Sequence, residues 1–125
     1  MRNLIITNNS SVAEKYEPVI FVDGSVEEVL IQVRDYVHRG YELISHPLPA
    51  SLRMMFSPVR SVILGRWLET VDYYSAEVIE DSIIKYRNHM DFRRIDYANE
   101  ADYKMIDLIL FESSFNESRA TGIPI

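Results

Sequence analysis

Two uninterrupted apolar runs, at residues 4–6 and 19–22, constrain the fold of this chain most strongly. Neither run alternates with polar residues, so each predicts a short strand that is buried on both faces, as in a parallel sheet covered by helices. The first run closes at Thr7 and is followed by turn and N-cap residues at positions 8–11, which predict a short helix over residues 12–16. We therefore expect the chain to open with a strand, a helix and a second strand.

The segment from Ser25 to Gly40 has the pattern of one amphipathic helix. Ser25 and Glu28 match a capping box, in which the serine hydroxyl accepts from an early amide and the glutamate reaches back. Gly40 suits the position just after a helix end. The apolar residues that recur at helical spacing are Val26, Val29, Leu30, Val33 and Val37.

The next part of the chain predicts two further strands. Residues 41–45 predict the third strand, and Pro47 ends it because proline cannot donate to a sheet ladder. After a proline-containing basic loop, residues 61–64 predict the fourth strand. Ser75 is the expected N-cap of the helix that follows.

A charged connector at residues 91–98 is expected to precede the last helix, with Asp96 or Asn99 as its N-cap. The apolar residues that this helix carries are Met105, Ile106, Ile109, Leu110 and Phe115. Together the elements predict a small three-layer α/β domain with a mostly parallel four-stranded sheet and the order βαβαββαα. We expect residues 1–115 to form this single domain and residues 116–125, which lack periodicity, to form a flexible tail.

Charge and composition limit the classes of partner. The formal net charge is −6, and the acidic surplus lies in residues 67–125, so nucleic-acid binding is not expected. The chain has no cysteine, and neither a metal-ligand spacing nor a phosphate-binding glycine loop is visible, so we expect no metal and no cofactor. The sequence has no membrane-spanning run and no signal-peptide pattern, which predicts no membrane association and a cytoplasmic location.

Polar and charged residues follow the predicted strands where they end, and they form the candidate binding site. In a parallel sheet these ends meet at one edge, where open α/β sheets bind ligands. The helix that begins after Ser25 would present free amides there, and arginines of the basic loop would add bidentate contacts. We therefore expect a pocket for a small carboxylate, phosphate or similar anion. The candidate ligand-binding residues are Asn8, Asn9, Asp23, Ser25, His46, Arg53 and Arg60.

These residues also have structural interpretations. Asn8 and Asn9 are common turn residues, and capping alone explains Ser25. His46 would bond a carbonyl of its own loop. The arginines would lie on a solvated face or pair with the acidic half of the chain.

No complete catalytic set is visible, so no catalytic residue is assigned and the question of enzymatic activity stays open. The alternative to a binding protein is a small enzyme in which His46 acts as general acid/base on an anionic substrate. Asp23 or Ser45 would orient the imidazole, and an arginine would hold the substrate. A third interpretation is a structural module that forms a homodimer through an aromatic patch of Tyr73 and Tyr74 beside Trp67.

Three motifs of the chain resemble one known family. They are residues 5–9 (IITNN), residues 33–40 (VRDYVHRG), and His46-Pro47-Leu48 followed by Pro58 and residues 60–62 (RSV). In this order, over residues 3 to about 112, the chain resembles the GrdX family. These small proteins are encoded with the glycine, sarcosine and betaine reductases of anaerobic amino-acid-fermenting bacteria. The resemblance implies a non-catalytic accessory protein that binds a reductase-complex protein partner, a small anion, or both.

Overall fold

The computed structural model describes residues 3–120 of the chain and the side chains of residues 3–118. The strands are β1 (Leu4–Thr7), β2 (Val19–Phe21), β3 (Tyr41–Leu43) and β4 (Ser61–Trp67). The α-helices are α1 (Ser10–Ala13), α2 (Val26–His38), α3 (Tyr73–Met90) and α4 (Glu100–Ala120). Two 3₁₀ helices span Arg53–Phe56 and Tyr97–Asn99. None of the described helices combines the length and apolar character needed to cross a membrane.

The four strands form one mixed sheet in the order β2-β1-β4-β3. β1 is parallel to β2, with Ile6 opposite Ile20, whereas β4 is antiparallel to both β1 and β3. β1, β2 and β3 therefore point in the same direction, and β4 points in the opposite one. The predicted α/β class is confirmed, but the prediction of a mostly parallel sheet is wrong.

The connection between β3 and β4 explains the mixed sheet. A parallel return needs a crossover, usually a helix, that carries the chain back to the opposite edge of the sheet. Residues 44–60 contain Pro47, Pro49 and Pro58 and form only one short 3₁₀ helix, so the chain stays at the edge where β3 ends. β4 then runs back and inserts between β1 and β3. The predicted order βαβαββαα does not match either, because it lacks both 3₁₀ helices.

Helices cover both faces of the sheet. α2 and α3 cover one face, and the fully buried residues of that core include Ile6, Leu30, Leu64 and Ile79. α1 and α4 cover the other face around a smaller core, made of Ile5, Val12, Ile63 and Phe111. Neighbouring residues of β1 thus point to opposite cores, as strand geometry requires. Each fully buried side chain of this size contributes roughly 1.5–3 kcal/mol to folding.

α2 begins and ends where its sequence pattern predicts. The Ser25 hydroxyl accepts a hydrogen bond from the Glu28 amide at 3.2 Å, and all five predicted apolar residues of the helix are buried. Beyond the helix end, Gly40 has a φ of +109°, a backbone conformation that residues with a Cβ rarely adopt. This glycine allows β3 to start directly after the helix.

α3 starts earlier than predicted, because its N-cap is Asp72 and not Ser75. The Asp72 carboxylate accepts from the Ser75 amide at 3.2 Å and from the Ser75 hydroxyl at 2.6 Å. An ionised carboxylate is favoured beside the free amides of a first turn. The Ser75 hydroxyl oxygen instead accepts from the Leu43 amide at 3.0 Å, so it joins α3 to β3.

α4 turns an unexpected face toward the sheet. The residues that point inward are Tyr103, Asp107 and Phe111, which are all buried. Four of the apolar residues expected on this helix are exposed, namely Met105, Ile106, Ile109 and Leu110. Asp96 lies at the start of the 3₁₀ helix Tyr97–Asn99 and makes no side-chain capping bond there.

α4 also continues to Ala120, which is beyond the predicted start of the tail at residue 116. Residues 121–125 lie outside the described residues. The division into a domain at residues 1–115 and a flexible tail at residues 116–125 therefore stays a prediction.

We predict that Gly40→Ala destabilises the fold more than Gly24→Ala does. A Cβ at Gly40 would lie 3.1 Å from Trp67 Nε1 and 3.3 Å from the Glu69 backbone, on a chain with positive φ. Holding alanine in such a conformation costs about 1–3 kcal/mol. The three atoms nearest to a Cβ at Gly24 all belong to the Glu28 carboxylate, which can move aside. Urea unfolding measures the free energy of unfolding of both variants. Equal losses in the two variants would contradict the conclusion that Gly40 is required by its positive φ.

Candidate functional site

The rim of the sheet, defined as the edge where β1, β2 and β3 end and β4 begins, carries most of the predicted site. Asn8 and Asn9 follow β1, Asp23 follows β2, and Ser25 caps α2 at the same edge. Residues 46–60 connect β3 to β4 along this rim. The expectation that these residues share one edge does not depend on a parallel sheet, because β1, β2 and β3 point the same way.

The Asn8 side chain connects the end of β1 by hydrogen bonds to the turn before α2 and to the segment before β4. Its Nδ2 donates to the carbonyl oxygens of Gly24 and Pro58, both at 2.9 Å. Its Oδ1 accepts from the Arg60 amide at 2.8 Å. Both donors and an acceptor of the side chain are therefore used inside the protein, and the structural interpretation of Asn8 accounts for its position.

A buried carboxylate, that of Asp107 on α4, lies under the rim with 1% of its side chain exposed. Its Oδ2 accepts from Asn9 Nδ2 at 3.0 Å and from Ser61 Oγ at 2.7 Å. Ser61 Oγ also lies 2.7 Å from Thr7 Oγ1. Since the serine proton goes to Asp107, Thr7 donates to Ser61, and Thr7 Oγ1 accepts in turn from the Asn9 amide at 2.9 Å. These hydrogen bonds join α4 to the end of β1 and to the start of β4.

Arg60 extends this network to the loop after β3. Its Nε donates to the Pro47 carbonyl at 2.7 Å and its Nη2 to the His46 carbonyl at 2.6 Å. Nη1 lies 4.0 Å from Asp107 Oδ1, and the arginine side chain is only 13% exposed. Burial lowers the pKa of Arg60, while the charge of Asp107 opposes that shift, and a guanidinium stays protonated in proteins. The guanidinium therefore binds carbonyl oxygens of the loop, and its Nε and Nη2 are not free to bind an anion together.

The residues at the centre of this network were not among the predicted site residues. Asp107 was missed because it lies between the apolar residues 106 and 108, where the last helix was expected to be plainly apolar. The available signal was its spacing of four residues from both Tyr103 and Phe111, which marks the inner face of the helix. Ser61 and Thr7 gave no signal beyond their places at strand ends.

The first cleft, of about 260 Å³, contains His46, Arg60 and Ser61 beside α4. His46 is exposed, and its Nδ1 accepts from the Leu48 amide at 3.0 Å. Ser45 does not bond the ring, whose partners are both Leu48 atoms, and its hydroxyl instead accepts from the Ile63 amide at 2.8 Å. Within the described residues, the ring bonds only backbone atoms of Leu48, so the partner that the enzyme hypothesis requires is not in place.

The second cleft, of about 300 Å³, contains the predicted residues Asn8, Asp23 and Ser25. Its walls also carry two aromatic residues, Phe21 and Tyr97, which are 48% and 66% exposed. The charged residues in its lining are Asp23, Glu100 and Lys104. Lys104 Nζ already donates to the Ser10 hydroxyl at 3.2 Å. The charge of this cleft is thus mixed and inclined to the acidic side.

Arg53 lies apart from both clefts. It lines a groove of about 590 Å³ between the 3₁₀ helix Arg53–Phe56 and the start of α4, together with Asp96, Asp102 and Ile106. Six of the seven predicted ligand-binding residues are therefore distributed over three cavities, the fully buried Asn9 lines none of the three, and the set does not form a single pocket. Among residues 3–118, no group of three or more histidine or acidic side chains is placed to hold a metal ion.

We predict that Asp107→Asn lowers the free energy of unfolding by about 2–4 kcal/mol, because it leaves the buried Arg60 without its counter-charge and weakens the bond from Ser61. The matched control is Asp102→Asn, an exposed acid on the same helix, which should cost less than about 0.5 kcal/mol. Urea unfolding with circular dichroism measures both variants. A loss at Asp107 no larger than that at Asp102 would show that the network does not hold the rim.

Comparison with known proteins identifies the family of the chain. Residues 4–116 match the family model described as GrdX-like protein. No curated protein and no solved structure shows a significant match to the chain. The matched segment includes every strand of the sheet and all three motifs that carry the resemblance. The chain belongs to the GrdX-like protein family.

Proposed function

We propose that this protein is a non-catalytic accessory component of a glycine/betaine-type amino-acid reductase system and that it binds a protein partner at the rim of its sheet. Membership of the GrdX-like family supports the reductase context. The second cleft supports the binding role, because it combines a concave surface with exposed aromatic walls.

The exposed aromatic residues of the second cleft are the observation that carries the proposal. Phe21 is the last residue of the edge strand β2, and Tyr97 opens the 3₁₀ helix before α4. Both line the same cleft and leave about half or more of their surface in water. Aromatic side chains are enriched at protein interfaces, where they supply large contact areas at a low cost in side-chain entropy.

The charges around this cleft indicate a basic partner segment. Asp23 and Glu100 line it, and Glu28 lies beside Gly24 at its edge. The one lysine of the lining is already bonded to Ser10. A lysine or arginine of a partner would therefore meet carboxylates here, which favours association and correct orientation.

A small anion is the alternative ligand, and the geometry supports it less well. Arg53 and Arg60 were expected to add bidentate contacts to the predicted pocket, but Arg60 binds loop carbonyls and Arg53 lines a separate groove. The enzyme alternative rests on His46, which lines the first cleft, but its Nδ1 bonds the Leu48 backbone and not a carboxylate. Neither alternative has a complete set of groups at one site.

We predict that Phe21→Ala and Tyr97→Ala each weaken binding to a purified reductase component by at least about tenfold, because each removes an aromatic contact. Isothermal titration calorimetry against each subunit of glycine, sarcosine and betaine reductase measures the effect. The matched controls are Phe92→Ala and Tyr73→Ala, which change residues that are 92% and 85% exposed and lie outside the cleft lining. These controls should bind within twofold of the unaltered protein.

A second measurement separates the two ligand classes. Thermal unfolding is followed in the presence of phosphate, acetyl phosphate, nucleotides, glycine, sarcosine and betaine, since a bound ligand raises the midpoint by mass action. If the protein binds a protein partner and no small ligand, none of these compounds raises the midpoint of thermal unfolding in a way that depends on His46. The variant His46→Ala tests that dependence. Absence of binding to every reductase component would overturn the partner role, and a His46-dependent shift would replace it with the small-ligand alternative.

A further inference from the structure

The exposed face of α4 is an apolar surface that nothing in the described chain covers. Met105, Ile106, Ile109 and Leu110 are 56%, 38%, 57% and 41% exposed. They occupy two successive turns of the helix, so their side chains form one continuous patch. We propose that this α4 patch is the interface of a homodimer in which α4 of a second copy packs against it in the antiparallel direction.

The patch is free of exposed charge although the chain is acidic. Between Tyr103 and Phe111 the only charged residues are Lys104 and Asp107. Lys104 is directed to Ser10, and Asp107 is buried under the rim. The centre of the patch therefore sets no like charges against each other when two copies approach, although each copy has a net charge of −6.

The order of the apolar residues is self-complementary in an antiparallel pair. A two-fold axis near position 107.5 places Ile106 opposite Ile109 of the second copy and Met105 opposite its Leu110. The same operation places the exposed Asp102 opposite the second copy's Ser113, which gives the patch a polar border. A two-fold interface uses the same surface on both copies, as this pattern requires. Antiparallel helices also oppose their dipoles favourably.

The charges that flank the patch select a second copy over an unrelated partner. Arg53 is exposed beside α4 in the groove that contains Asp102 and Ile106. Glu117 is exposed and lies seven residues after Leu110, so it projects on the same side of the helix. Neither Arg53 nor Glu117 forms an ion pair within the described residues. The antiparallel arrangement brings Arg53 of each copy toward Glu117 of the other, and this pairing occurs twice.

The size of the patch indicates a weak dimer. Stable interfaces bury roughly 800 Å² per partner, and smaller contacts are typical of transient association. Four partly exposed apolar side chains form only the centre of such an area, with Arg53, Asp102 and Glu117 at its border. We therefore expect a monomer–dimer equilibrium that is visible by sedimentation at roughly 100 μM protein.

Sedimentation equilibrium of the full chain, without any added partner, tests the interface. Ile109→Lys should raise the dimer dissociation constant at least tenfold, because it places two like charges near the two-fold axis. Ile84→Lys is the matched control, since Ile84 has the same 57% exposure and lies on α3, which covers the opposite face of the sheet from α4. The control should leave the dissociation constant within twofold. A monomer at every concentration, or a dimer that both variants weaken equally, would overturn the proposal.

A charge exchange tests the antiparallel geometry and does not depend on the apolar residues. Arg53→Glu and Glu117→Arg should each weaken the dimer, and the double variant with both changes should restore it to within threefold of the unaltered protein. Circular dichroism of each variant verifies the fold, and all of the changed side chains are exposed. Failure of the double variant to restore the dimer, while both single variants weaken it, would overturn the antiparallel pairing.

Discussion

The buried carboxylate of Asp107 is the group on which the arrangement of the rim depends. A charge in this position is unfavourable unless it is paired and hydrogen-bonded. Asn9, Ser61 and Arg60 supply those partners from three different segments of the chain. The cost of burying the carboxylate thus fixes the end of β1, the start of β4 and the inner face of α4 relative to one another.

This network also changes the functional interpretation of the rim. Asn8, Asn9 and Arg60 are polar residues at the edge where α/β proteins bind ligands, yet each is bonded to another part of the chain. A rim that satisfies its own polar groups is rigid and offers few free donors to a small anion. The aromatic walls of the second cleft and the α4 patch lie outside this network, and exposed aromatic and apolar surfaces of this kind are typical of protein interfaces.

The parts of the fold that follow from local pattern were predictable from the sequence. α2 is the clearest example, because the Ser25 cap, the apolar spacing and Gly40 all indicate the same helix. The place of β4 was not predictable, since insertion between β1 and β3 is decided by the path of the chain and not by the residues of the strand.

The face that α4 turns toward the sheet could not be predicted from the sequence for a different reason. Its most apolar residues are exposed, and an acid takes the inner position because its partners come from Asn9 and Ser61, far away in sequence. The candidate site was predictable only to the level of an edge of the sheet. Which of its residues are free depends on hydrogen bonds between distant segments, and no local pattern reveals those bonds.

Amide hydrogen exchange of Asp107→Asn, compared with the unaltered protein, tests most directly whether this carboxylate holds the rim. We predict that the amides of Asn9, Leu48 and Arg60 exchange at least tenfold faster in the variant than in the unaltered protein, beyond any change at buried α2 amides such as that of Val33. Such a local opening would show that the rim is held by the network and not by the cores alone. An equal acceleration at the rim and in α2, or no change at the rim, would contradict it.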